Sequence, residues 1–220
     1  MREQVNSAAT DVVPASVNGA DINSGNFFKI GGTDITKDPI TIGLGARIDP
    51  EDKKPIRLTG CTALIVMSQK AVWFGHFWER LSYGDNELFK TEVLDLITNG
   101  GTQNSDVQQA LKDHADDFKG QASASAWILY PEADEWINPD GPQASPVPMD
   151  YKDMNTKLQD EVKQLTGITA TMTVYKPEFS AINGALGRAL YQYDPEAKAE
   201  DPKRGFRFIH DYTDEGITYF

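Results

Sequence analysis

The strongest structural pattern in this chain lies in residues 61–78, CTALIVMSQKAVWFGHFW. It contains two apolar runs, Cys61–Ser68 and Ala71–Trp78, separated by the polar residues Gln69 and Lys70. Both runs are apolar at odd and at even positions, which is typical of central strands that are covered on both faces. A short polar break between two such strands predicts a β-hairpin.

The segments on either side of this hairpin alternate between strand and helix patterns. This order favours an α/β (α+β) chain with a mixed β-sheet or a β-sandwich flanked by helices, rather than a doubly wound parallel sheet. Ser105 is a suitable N-cap for the helix predicted over 105–118. The predicted strands are 25–30, 41–48, 126–130, 169–176, 189–193 and 206–212, and the predicted helices are 86–98, 105–118 and 149–165.

The chain divides into two parts by composition. Residues 1–25 are rich in small and polar residues without periodicity and predict a loosely ordered N-terminal segment, while 26–220 predict a single catalytic-type domain. Residues 131–148 are rich in proline and predict a long surface loop. The first residues contain no apolar signal core, so we expect no signal peptide here. The compartment is not readable from the sequence, and a secreted effector or a toxin fragment is one alternative.

The charge balance argues against two classes of partner. The sequence has 33 Asp and Glu against 21 Lys and Arg, a net charge of −12. Such a chain repels phosphate backbones and anionic lipid, so we expect no nucleic-acid partner. We also expect no membrane insertion, because no apolar run approaches the roughly 18–20 residues of a spanning helix. The single cysteine excludes an internal disulfide.

The hairpin brings Cys61 and His76 onto one face of the sheet if its loop has an even number of residues. A four-residue loop, 67–70, places the two residues directly opposite each other. A two-residue loop, 69–70, places them diagonally on the same face. A three-residue loop would place them on opposite faces.

A thiol beside an imidazole has a recognisable chemistry. A cysteine with an ordinary pKa of about 8.5 is mostly protonated at neutral pH, and a neighbouring imidazole can take the proton and hold a thiolate. Gly60 allows close approach to the sulfur. The backbone N–H groups of Gly60 and Cys61 are then suited to stabilise an oxyanion. The alternative is structural: a small buried cysteine and a core histidine.

The other histidines carry weaker signals. His114 lies in a polar helical pattern and is predicted to be a solvated surface residue, and His210 alternates with aromatic residues in a late strand and is predicted to be structural. No histidine has metal-ligand spacing with Cys61 or a carboxylate, so we predict no metal and no cofactor.

The motif Leu58-Thr59-Gly60-Cys61, followed by an apolar strand and His76, resembles the catalytic domain of the cytotoxic necrotizing factors. A more distant resemblance is to the CheD family of chemoreceptor glutamine deamidases. The toxin motif is Leu-Ser-Gly-Cys, so Thr59 retains the hydroxyl of the serine. The resemblance implies a β-sandwich flanked by helices, with Cys61 and His76 as the catalytic pair and Thr59 as a hydrogen-bond partner near the thiol.

The resemblance also implies a third polar element upstream of the cysteine. Asn26 is the candidate, with Asn23 and Asn18 as alternatives. Trp78 shares the parity of His76 and is predicted to form a wall of the pocket.

The function expected from these residues is thiol-dependent deamidation of protein glutamine, with a protein that presents a glutamine side chain as the partner. Two alternatives follow from the same residues. One is a non-catalytic interaction module on the same fold. The other is a different cysteine hydrolase, a transglutaminase or a peptidase.

Overall fold

The computed structural model of the chain describes residues 24–30, 40–44, 47–48, 55–56, 61–77, 82–83, 85–103, 106–131, 151–175, 189–194, 204–210 and 213–219. The strands in these ranges are β1 Ser24–Lys29, β2 Ile40–Leu44, β3 Arg47–Ile48, β4 Pro55–Ile56, β5 Thr62–Met67, β6 Ala71–Phe77, β7 Gly101–Gln103, β8 Asp106–Gln108, β9 Ser125–Pro131, β10 Thr171–Tyr175, β11 Ala189–Asp194, β12 Gly205–His210 and β13 Thr213–Tyr219. Helix α1 runs through Asn86–Phe89, a π-helical turn Lys90–Leu94 and Asp95–Asn99. A 3₁₀ helix covers Lys112–Asp117, and helix α2 covers Tyr151–Thr166.

Two larger sheets organise the described part of the chain. One has the strand order β1-β6-β5-β9-β10, and the other has the order β13-β12-β11-β2. The first sheet is mixed, because β10 runs parallel to β9 while the other neighbours are antiparallel. The expectation of a strand-rich α+β chain with a mixed sheet is confirmed.

The five-stranded sheet is covered on both faces, which explains why its central strands are apolar at both parities. Leu64 and Val66 of β5 pack into a core shared with α1 and α2. Ala63, Ile65 and Met67 pack into a second core shared with β11 and β12 of the four-stranded sheet. The alternation of side chains along one strand thus supplies two cores.

A pair of glycines shapes the helix-covered face of this sheet. Gly25 of β1 pairs with Gly75 of β6, and a Cβ atom at Gly75 would lie 2.7 Å from Trp73 Cζ3. A Cβ atom at Gly25 would lie 2.8 Å from Trp73 Cζ2. The indole ring therefore lies across both glycines, and its Nε1 donates a hydrogen bond of 2.9 Å to the carbonyl oxygen of Gln109.

The helices α1 and α2 are confirmed close to their predicted bounds. Asp85 caps α1 by accepting hydrogen bonds from the backbone of Glu87 and Leu88. Gly100 at φ 64° follows α1, and Gly167 at φ 78° follows α2. Both glycines adopt the positive φ that commonly ends a helix.

The predicted helix over 105–118 is wrong. Strand β8 and the 3₁₀ helix occupy most of this segment, and the side chains of Gln108, the last residue of β8, and of Gln109 bind the edge of β1. Gln108 Oε1 accepts from Gly25 N at 2.8 Å, and Gln109 Oε1 accepts from Phe27 N at 2.7 Å. Pairing with an otherwise open sheet edge outweighs local helix propensity here.

Strand β13 was not predicted from the sequence. Its residues are largely polar and exposed, so they lack the apolar alternation of a half-buried strand. It pairs with β12 at the edge of the four-stranded sheet.

Candidate active site

The turn of the β5–β6 hairpin decides between the two loop lengths. Ser68 N donates to Ala71 O at 2.9 Å, and Ala63 pairs with His76, so the loop is the two residues 69–70. The four-residue alternative is wrong. Cys61 directly precedes β5 and is two residues before Ala63, so it lies diagonal to His76. Such diagonal neighbours are roughly 7–8 Å apart, with their Cβ atoms somewhat closer.

Outside its turn, the hairpin is partly exposed at these two positions. Every residue of β5 is buried, and His76 is the one residue of β6 that is partly exposed. Cys61 is also partly exposed and packs against the core between the two sheets. The thiol and the imidazole therefore lie where a solvent-accessible position adjoins an apolar core.

The main chain of Cys61 is held by a distant strand. Tyr175, the last residue of β10, donates from its hydroxyl to the carbonyl oxygen of Cys61 at 2.6 Å. Tyr175 is buried in the core between the sheets. This contact joins residues 114 positions apart in the chain.

A buried polar group lies beside Cys61 on the helix-covered side. Tyr83 Oη donates to Asn155 Oδ1 of α2 at 2.8 Å, and Tyr83, Asn155 and Thr62 have no exposed surface. Burial raises the pKa of Tyr83 well above its ordinary value, the neighbouring Thr62 hydroxyl opposes the rise, and a negative charge on Cys61 adds to it. Tyr83 packs into the helix-covered core, whereas Cys61 packs against the core between the sheets.

Sequence reasoning missed this polar group, although one signal was present. Asn155 lies in the buried stripe of α2 between Met154 and Leu158. A polar residue within an apolar helical stripe indicates a buried hydrogen-bond partner, because an unpaired amide would be costly to bury.

Several predicted site residues lie outside the described part of the chain. These are Thr59, Gly60, Trp78, Asn23 and Asn18. Asn26 lies in β1, where its backbone pairs with Phe74, and its side chain is outside the described structure. The roles assigned to these residues stay predictions.

The other two histidines are each engaged in the fold. His114 is partly buried and stacks on Phe27 with ring centroids 3.5 Å apart, so its prediction as a solvated surface residue is wrong. Burial lowers the pKa of His114. His210 is buried, and its Nε2 lies 2.9 Å from Glu215 Oε1.

Within the described ranges, no group of three or more His, Cys, Asp or Glu side chains is placed to hold a metal ion. Across the same ranges, no helix has the length and apolarity needed to cross a membrane. No protein-family model matches this chain, and no curated protein matches its sequence.

Proposed function

We propose that this chain is a thiol-dependent hydrolase that deamidates glutamine side chains of a protein substrate. In this proposal Cys61, which directly precedes β5, is the nucleophile, and His76 of β6 is its general base. One observation carries the proposal: both residues share one face and are partly exposed, while the strands around them are buried. An inert core cysteine would be buried like its neighbours.

The reaction follows from the chemistry of this pair. His76 takes the thiol proton, and the sulfur of Cys61 attacks the carboxamide carbon of a glutamine. The protonated imidazole gives the proton to the departing nitrogen, so ammonia leaves and a thioester remains. His76 then deprotonates a water molecule, which hydrolyses the thioester to glutamate and returns the thiol. The balance is one carboxamide and one water to one carboxylic acid and one ammonia.

Neighbouring groups complete the proposal. The backbone N–H groups of Gly60 and Cys61 stabilise the oxyanion of the tetrahedral intermediate. Thr59 hydrogen-bonds near the thiol, Asn26 is the third polar element, and Trp78 forms a wall of the pocket. The glutamine comes from another protein, and neither a metal nor a cofactor takes part.

The test is incorporation of heavy oxygen into substrate glutamate. Wild-type protein is incubated with an extract of total cell protein in heavy-oxygen water, and peptides are searched by mass spectrometry for glutamine converted to oxygen-labelled glutamate. A thioester opened by solvent leaves the label in the new carboxylate. We expect labelled sites with the wild type and background labelling with Cys61→Ala and with His76→Ala.

A fluorescent primary amine added to a parallel reaction identifies a different acyl acceptor. Transfer of the amine to glutamine in place of the oxygen label would reassign the reaction to transglutamination at the same thiol. Peptide-bond cleavage in place of deamidation would assign a peptidase. Equal labelling by wild type and Cys61→Ala contradicts the proposal.

A further inference from the structure

The hydroxyl of Tyr175 makes a contact that the proposed reaction does not use. It donates to the carbonyl oxygen of Cys61 at 2.6 Å, from the end of β10. Between β10 and β5 lies β9, so the tyrosine side chain reaches across one strand. The reason for this reach lies in the hydrogen-bonding pattern of β5.

The main-chain groups of β5 alternate in direction. At the turn Ser68 N donates to Ala71 O, so Ser68 directs its N–H group, and with it its C=O group, towards β6. In an antiparallel ladder successive residues direct these groups to opposite sides. Ala63 therefore directs its main-chain groups towards β9, and Cys61, two residues earlier, is set to do the same.

The residue of β9 that faces Cys61 cannot supply a donor. Ala63 pairs with Leu129, so the position opposite Cys61 is two residues further along β9, which is Pro131. Proline has no backbone N–H group. The pairing of β5 with β9 accordingly ends at Ala63 and Leu129.

Tyr175 is placed to replace the missing donor. It pairs with Pro131 in the parallel β9–β10 ladder, so it lies one strand beyond the proline in the same row as Cys61. Its side chain lies in the core between the sheets, on the face shared by Cys61 and His76. The phenol hydroxyl thereby reaches the carbonyl oxygen that a backbone N–H would otherwise bind.

We infer that Tyr175 is a positioning residue for Cys61, with its hydroxyl substituting for the main-chain donor that Pro131 lacks. This inference rests on the proposed thiol–imidazole pair. Fixing the carbonyl of Cys61 restricts rotation of its main chain, and so fixes the direction of its Cα–Cβ bond towards His76. The ladder beyond Ala63 does not provide this restraint, so the side chain of Tyr175 does.

The experiment measures the rate at which iodoacetamide alkylates Cys61 as a function of pH, which requires no substrate. The single cysteine makes the signal specific. Because the thiolate is the form that reacts, a Cys61–His76 pair should give the wild type a shoulder in alkylation rate at mildly acidic to neutral pH. In Tyr175→Phe we expect this shoulder to move upward in pH and the rate at mildly acidic pH to fall roughly tenfold, the scale of one lost hydrogen bond. Thermal unfolding is recorded in parallel to separate this effect from loss of the fold.

Tyr191→Phe is the matched control. Tyr191 is buried in the same core, and among the described residues no group hydrogen-bonds to its hydroxyl. The Tyr191→Phe variant removes a buried phenol hydroxyl that makes no hydrogen bond to Cys61. We expect its alkylation profile to coincide with that of the wild type.

Pro131→Ala supplies the sharper test, because it restores a backbone N–H group opposite Cys61. Combined with Tyr175→Phe, it should return the alkylation profile most of the way to that of the wild type. A Tyr175→Phe profile equal to the wild type, or a loss that Pro131→Ala does not restore, overturns the inference.

Failure of the proposed function gives a different result. A wild-type profile without an acidic shoulder contradicts the Cys61–His76 pair and this inference with it. A shoulder that depends on Tyr175, in a protein that deamidates no substrate, supports the positioning role and refutes only the deamidase.

Discussion

The two ends of the β5–β6 hairpin use their polar groups differently. At the turn, Ser68 is buried, and its Oγ accepts from Lys70 N at 3.0 Å and Ala71 N at 3.2 Å and donates to Asp117 O at 2.8 Å. At the other end, the pairing with β9 stops and both Cys61 and His76 retain solvent access. The turn end thus contributes its polar groups to stability, while the other end leaves a thiol and an imidazole accessible for chemistry.

The largest effect should come from the accessible end. In the proposed pair, His76→Ala removes the cation that holds the thiolate, so the pKa of Cys61 should rise towards the ordinary value of about 8.5. The rate of alkylation by iodoacetamide at mildly acidic pH should fall by roughly 10–100-fold, as expected for a change of one to two pKa units. The free energy of unfolding, measured with urea, should change by less than about 1 kcal/mol, because His76 is partly exposed.

Two outcomes would remove the contrast between the ends. If the alkylation profile is insensitive to His76→Ala, the pair does not exist. If His76→Ala costs roughly 2–5 kcal/mol, as for a cavity in a core, His76 is a structural residue.

The turn end should give the reverse result. Ser68→Ala leaves the N–H groups of Lys70 and Ala71 and the carbonyl of Asp117 without the serine hydroxyl. We expect the free energy of unfolding to fall by roughly 1–3 kcal/mol, the cost of unsatisfied buried polar groups. Urea denaturation measures the loss. The alkylation profile should stay that of the wild type, and a shifted profile would show that the two ends are coupled.

The β12–β13 hairpin, at the edge of the four-stranded sheet, provides a baseline outside the β5–β6 hairpin. Arg207 Nε donates to Asp214 Oδ1 at 2.9 Å, and this hydrogen bond lowers the pKa of Asp214 in the folded chain. The folded state therefore favours the carboxylate. Its stabilisation is fully present above the ordinary carboxyl pKa of 3.8 and is lost as the pH falls through the lowered value.

Asp214→Asn should therefore lower stability slightly at neutral pH and converge with the wild type in acid. Since Asp214 is 39% exposed, we expect a difference of only about 0.5 kcal/mol or less. Urea denaturation across the acidic range checks it. If the difference in free energy of unfolding between Asp214→Asn and the wild type grows as the pH falls, the Arg207–Asp214 pair does not favour the carboxylate.

Local pattern was enough to predict the parts of the fold that depend on near neighbours. The apolar runs around Gln69 and Lys70 predicted the central hairpin, because a strand covered on both faces must be apolar at both parities. Periodicity and the glycines after them predicted α1 and α2. The loop has an even length, the two residues 69–70, which is the condition under which parity brings Cys61 and His76 onto one face, while their pairing stays a prediction.

Tertiary structure decided what depends on partners distant in the chain. The segment around Gln108 and Gln109 has helical propensity, but binding to the edge of β1 determined its conformation. No local pattern links Tyr175 to Cys61, or Asn155 to Tyr83, because each contact arises only when separate elements pack together. Residue periodicity encodes which face of an element is buried. It does not encode which distant side chain meets a given main-chain group, since that depends on sheet order and register.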